Sequence, residues 1–81
     1  MRIKIKVFAS IRDICGFNEK ELIVSDSIKV NDVIDLFIKG NKELSEKKDT
    51  LLTAVNEEYC NMNRTLEDGD TLAIFPPVSG G

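Results

Sequence analysis

The sequence predicts an α+β domain in which a mixed β-sheet lies against one main helix and an extended, flexible tail follows the last strand. Three observations lead there. The first residues alternate apolar and polar, residues 30 to 38 carry one continuous helical stripe, and the other apolar runs are short and bounded by turn signals. One amphipathic helix suffices to cover one apolar sheet face, which makes a two-layer arrangement.

Along the chain, Ile3, Ile5 and Val7 share one phase of a strand over residues 2 to 9, and Lys4, Lys6 and Phe8 share the other. Phe8 is the anomaly, an aromatic on the solvent phase beside two lysines. Ser10 to Cys15 is expected to form a short helical turn capped by Ser10 and ended by Gly16, with Ile11 and Ile14 three residues apart on its inner face. A second strand is expected over Lys20 to Ser25, with Leu22 and Val24 in phase. From Val30 to Lys39, the residues Val30, Val33, Ile34, Phe37 and Ile38 fall on one helical face, and Gly40 suits the position after the end. Lys29 offers no capping oxygen at its start.

Asn41 to Asp49 is polar, rich in lysine and glutamate, and without a clear period, which predicts a surface loop with one irregular turn. Thr50 to Asn56 reads as a buried strand, followed by a turn at Asn56-Glu57-Glu58 and a short strand around Tyr59 and Cys60. Asp68-Gly69 supplies a tight turn before the last strand, Thr71 to Pro76, in which Leu72 and Ile74 point inward and Ala73 and Phe75 outward. This order is that of a ubiquitin-like β-grasp roll. Residues 1–81 are read as one domain, with 76–81 protruding as a tail.

Composition narrows the function. A chain of 81 residues holds one modest core, and its 42% hydrophobic and 31% charged residues are those of a globular protein. A net charge of −3 with dispersed lysines provides no basic face for nucleic acid or an anionic membrane. No apolar run approaches the roughly 20 residues of a membrane span, and the N-terminus alternates where a signal peptide would be continuously apolar; a cytoplasmic location is expected. The sequence contains no histidine, and Cys15 and Cys60 form no C-x-x-C, so neither a zinc site nor a histidine-activated nucleophile is expected. The cysteines read as two small, mostly buried thiols. Glu57-Glu58 and Glu67-Asp68 read as solvated turn charges, and Asp68-Gly69-Asp70 lacks the further ligands of a calcium loop.

The candidate site is elsewhere. The sequence ends Phe75-Pro76-Pro77-Val78-Ser79-Gly80-Gly81, a stiff apolar segment leading into two glycines. A glycine pair carries no side chain, so it passes in extended form through a narrow channel and presents a terminal carbonyl to an enzyme. Phe8, Phe75 and Tyr59 fall on solvent phases, and if they cluster they form a patch that marks a protein partner. An apolar anchor before a glycyl end would dock the body while the end enters the partner's active site.

Three segments together resemble the MoaD family, the sulfur-carrier subunits of molybdopterin synthase, within the ubiquitin-like carriers that include ThiS. They are Val7 to Gly16, Leu51 to Asn56, and Leu66 to Gly81 with its L-x-D-G-D turn and its Phe-Pro-Pro and Gly-Gly. The resemblance implies that an E1-like enzyme adenylates the Gly81 carboxylate with ATP and that a sulfur donor then displaces AMP to leave a thiocarboxylate. It implies transfer of that sulfur to cyclic pyranopterin monophosphate, with catalytic side chains on a large partner subunit in a heterotetramer. No cofactor is expected to be bound. Gly80 would accompany Gly81 into the partner's site; Phe8, Arg12, Tyr59, Phe75, Pro76, Pro77 and Val78 would contact partners. A carrier for thiamin, a ubiquitin-like modifier joined to lysines, and a pure interaction domain are the alternatives.

Overall fold

A computed structural model describes residues 1–77 of the chain. Val78, Ser79, Gly80 and Gly81, and with them most of the expected 76–81 tail, lie outside the described residues. The strands are β1 (Arg2–Val7), β2 (Glu19–Ile23), β3 (Leu52–Val55), β4 (Glu58–Cys60) and β5 (Thr71–Phe75). They form one sheet in the order β2-β1-β5-β3-β4. β1 and β5 pair in parallel at the centre, and β1–β2, β5–β3 and β3–β4 are antiparallel. The helices are α1 (Ala9–Cys15), α2 (Val30–Ile38) and α3 (Lys42–Lys47), the last running into a 3₁₀ turn at Lys48–Thr50. This is the ubiquitin-like β-grasp arrangement.

Strand alternation sorts the residues as expected. Ile3, Ile5, Val7, Leu72, Ile74 and Val55 are buried on the inner face, where they meet Val30, Val33 and Ile34 of α2 and Ile11 of α1. Each such aliphatic contributes about 1.5–3 kcal/mol on full burial. That comparison explains how α2 tolerates Lys29 at its start, since a missing cap costs only about 1 kcal/mol. The start is also satisfied from outside. The N–H groups of Val30 and Asn31 donate to the carbonyls of Arg64 and Met62 at 2.9 Å each, and Asp32 accepts from the Lys29 N–H at 3.2 Å. Lysine has no acceptor atom, so the reciprocal half of a capping box cannot form.

Other expectations need correction. Ser10 is not the cap of α1: Phe8 holds that position, with no side-chain hydrogen bond, and Ala9 turns the chain with φ 49°. Gly16 does end α1, left-handed at φ 82°, with its N–H donating to Arg12 O at 2.8 Å. The expected loop at Asn41 to Asp49 is α3 with its 3₁₀ extension, because Asn41 Oδ1 accepts from Leu44 N at 3.2 Å and Leu44 is buried. One buried leucine and a good cap outweigh the missing period. The strand ends also differ: β1 stops at Val7, β2 starts one residue earlier than expected and ends at Ile23, and β5 stops at Phe75.

Asp70 is the one buried carboxylate among the described residues. It accepts from Asn56 Nδ2 and from Glu67 N, both at 2.8 Å, while Asn56 Oδ1 accepts from Thr71 N at 3.0 Å. This network fixes the start of β5 against the β3–β4 turn. Gly69 closes the preceding turn at φ 86°, as its Asp-Gly sequence predicts. Asp68 is more than a solvated charge, since its Oδ1 accepts from Arg2 N at 2.8 Å.

Candidate functional site

α2 lies on the inner face, and the outer face of the sheet is free to carry a site. Register places Lys6, Ala73, Ala54 and Tyr59 in one row across β1, β5, β3 and β4. Phe75 and Leu52 form the next row, and Phe8 follows beyond Val7. Small alanines at the centre with aromatics around them leave a hollow. Its volume is about 540 Å³, and its lining includes Lys6, Phe8, Asn56, Tyr59, Ala73 and Phe75.

The three aromatics come together as the strand phases suggested. Phe8 stacks on Phe75 with ring centroids 4.6 Å apart and planes at 11°, and Tyr59 leans on Phe75 at 6.1 Å. Stacked pairs of this kind add about 0.5–1.5 kcal/mol beyond area burial. Most of Tyr59 is nevertheless in solvent, at 75% exposure, and Phe8 is exposed at 39%. Phe8 reaches its partner because its own N–H donates to Ile74 O at 3.3 Å before Ala9 turns left-handed into α1. A left-handed alanine costs roughly 1–2 kcal/mol, so the corner is held by its surroundings.

Arg12 lies on α1, exposed, and lines a second hollow with Lys6, Phe8, Asn18 and Glu19. Phe8 therefore borders both hollows. Pro76 is half-buried and Pro77 exposed, directly after Phe75. Val78, Gly80 and Gly81 lie outside the described residues.

Sequence reasoning missed part of the lining. Lys6 and Ala73 are legible in hindsight from their outward phase. Asn56 and Glu57 are not, because both adopt left-handed backbone, φ 50° and 71°, in the two-residue turn between β3 and β4. Such a primed turn favours Asn-Gly, and its first residue matches while its second does not.

The chemistry on offer is that of recognition. Among the described residues, no group of three or more His, Cys, Asp or Glu side chains is placed to hold a metal ion. Cys15 and Cys60 are free, half-buried thiols. Burial pushes the Cys15 thiol above its ordinary value, away from reactive thiolate. Cys60 Sγ lies 3.6 Å from Thr53 Oγ1. No helix among the described residues is long and apolar enough to cross a membrane.

A sequence model described as the ThiS family matches residues 5–81. The chain belongs to the ThiS family. It is thus one of the ubiquitin-fold sulfur carriers of the MoaD/ThiS type. Within that family it is 35% identical over 83 residues to a molybdopterin synthase sulfur carrier subunit of Chlamydomonas reinhardtii, covering 100% of both chains. A solved structure described as molybdopterin converting factor subunit 1 from Pyrococcus furiosus superposes with a TM-score of 0.83 at 30% identity, covering 96% of this chain and 99% of that one. The small archaeal modifier protein 1 of Methanosarcina acetivorans superposes with a TM-score of 0.77 at 28% identity, covering 99% and 96%.

Proposed function

We propose that this chain is the sulfur carrier subunit of a molybdopterin synthase and that Gly81 carries the sulfur. The observation that carries the reading is end-to-end similarity to a subunit of that name, extending through the final Gly-Gly. An E1-like enzyme joins the Gly81 carboxylate to the AMP moiety of ATP, releasing pyrophosphate. The step is needed because a carboxylate is a poor electrophile until it becomes a mixed anhydride. A sulfur donor then displaces AMP, and the resulting thiocarboxylate is a nucleophile able to deliver sulfur to cyclic pyranopterin monophosphate.

In this account the chain supplies no acid or base. Phe8, Phe75 and Tyr59 form the apolar face that seats on the large catalytic subunit, and Arg12 is a polar contact at its margin. Pro76 and Pro77 stiffen the exit from β5, and Val78, Gly80 and Gly81 extend into the partner's site. The same face serves the activating enzyme in turn, and the setting is the cytoplasm. Two small subunits and two large ones make the assembly.

The test is reconstitution with the large subunit, the activating enzyme, ATP, a sulfur donor and cyclic pyranopterin monophosphate. Dithiolene product should form with the full chain. Deleting Gly81 should abolish it while leaving the urea unfolding curve unchanged. Product from the truncated chain would overturn the assignment. The likeness to a small archaeal modifier favours a second reading, conjugation to protein lysines. Gly81 remnants in isopeptide linkage on target proteins would support that alternative.

A further inference from the structure

The aromatic hollow has a direction. On the β1 side it is lined by the exposed cation Lys6, with Arg12 on the adjoining hollow across Phe8; on the far side, beyond β5, stands the exposed turn carboxylate Glu57. The strand order β2-β1-β5-β3-β4 keeps these ends apart, with Phe75 between them. Neighbouring charges offset Arg12, so Lys6 is the cation that faces the hollow. The exposed carboxylate of Asp13 follows Arg12 on α1 and Glu19 shares its hollow, whereas at Lys6 the cross-strand Glu19 reaches Lys4 at 3.6 Å. At the other end Glu57 is followed by exposed Glu58, and neither is in an ion pair among the described residues.

Glu57 also sits where the backbone asks for glycine. Its φ of 71° occupies the second central position of a primed turn, and local sterics alone would select Asn-Gly there. A charged side chain at that position gains nothing from packing, and no hydrogen bond to it is present among the described residues. Its charge is displayed at the edge of the hollow.

We propose that the hollow accepts its protein partner in one orientation, set by this polarity: a basic side chain of the partner opposite Glu57 and an acidic one opposite Lys6. The occupant is the large subunit of the proposed synthase, so the inference rests on that function and adds the chemistry of the matching surface. Apolar contact at Phe75 supplies affinity, and the charged ends supply register and encounter rate. A face with opposite charges at its two ends also suits a second copy of this chain turned about Phe75, and the experiment separates the two.

Affinity of the full chain for the large subunit is measured by surface plasmon resonance at low and high salt for wild type, Glu57→Gly, Glu57→Lys and Phe75→Ala. Glu57→Gly should raise the thermal midpoint, because it relieves the turn, and still bind several-fold more weakly with reduced salt dependence. Glu57→Lys should weaken binding more than tenfold, mainly through the association rate. If both Glu57 variants bind like wild type while Phe75→Ala does not, the polarity is irrelevant and the inference fails alone. If Phe75→Ala also binds like wild type, the docking face itself is wrong. Sedimentation of the isolated chain should show a monomer; a dimer abolished by Glu57→Lys would assign the polarity to self-association and overturn the proposal.

Discussion

Phe75→Ala separates the two demands on the outer face, stability and docking. Phe75 is half-buried on the outer side of the central strand β5, stacked on Phe8 at 4.6 Å and touched by Tyr59. A phenylalanine buries about 150–250 Å² when wholly enclosed, so truncation here removes roughly 80–100 Å² of contact. At about 25 cal/mol per Å² that is about 2 kcal/mol, with about 1 kcal/mol more for the lost stack. The sum of about 3 kcal/mol is an upper bound, because denatured chains already bury part of this area. The expected loss is therefore about 2 kcal/mol, below the roughly 3–5 kcal/mol of a core Phe→Ala. In urea, with a slope near 1 kcal/mol per M for a small domain, the midpoint falls by roughly 2 M. Binding to the large subunit should lose at least about 2 kcal/mol, some thirtyfold, as a central aromatic anchor does. Titration calorimetry under conditions where the variant is folded reads this directly. A stability loss above about 4 kcal/mol with unchanged affinity would show that Phe75 is a core residue and not a docking anchor.

Other outcomes follow from the same geometry. Asp70→Ala strands the Asn56 amide and the Glu67 N–H, and should cost about 2–4 kcal/mol by urea titration, with Asp70→Asn costing less. Asn41→Ala should cost about 1 kcal/mol and speed amide exchange at Leu44, whose N–H loses its cap. Because burial raises the Cys15 thiol above its ordinary value, its alkylation by iodoacetamide should reach half-maximal rate at higher pH than a free thiol. The sign for stability follows: the folded state favours the neutral thiol, so this contribution is complete below the ordinary thiol value and is lost as pH rises through the folded one. A Cys15→Ser variant should show less of that alkaline loss.

The sequence revealed the inner layer because burial imposes period on it. Ile3, Ile5 and Val7 alternate, and Val30, Val33 and Ile34 repeat at helical spacing, since each must reach the same core. α3 escaped because one buried leucine leaves no period to detect, although Asn41 three residues before Leu44 was a readable cap. The aromatic cluster was foreshadowed by phase, yet the stacking of Phe8 on Phe75 depends on a left-handed Ala9 that no propensity favours. Glu57 was illegible for a similar reason. Its place on the rim is set by a turn type whose second residue departs from the expected glycine.

Mass spectrometry of the intact chain and of its peptides after incubation with ATP, an activating enzyme and a sulfur donor tests the central claim most directly. The account predicts a gain of about 16 Da confined to Gly81, the exchange of one carboxylate oxygen for sulfur. No gain at Gly81, or a gain of about 32 Da on Cys15 or Cys60 as a persulfide, would contradict it.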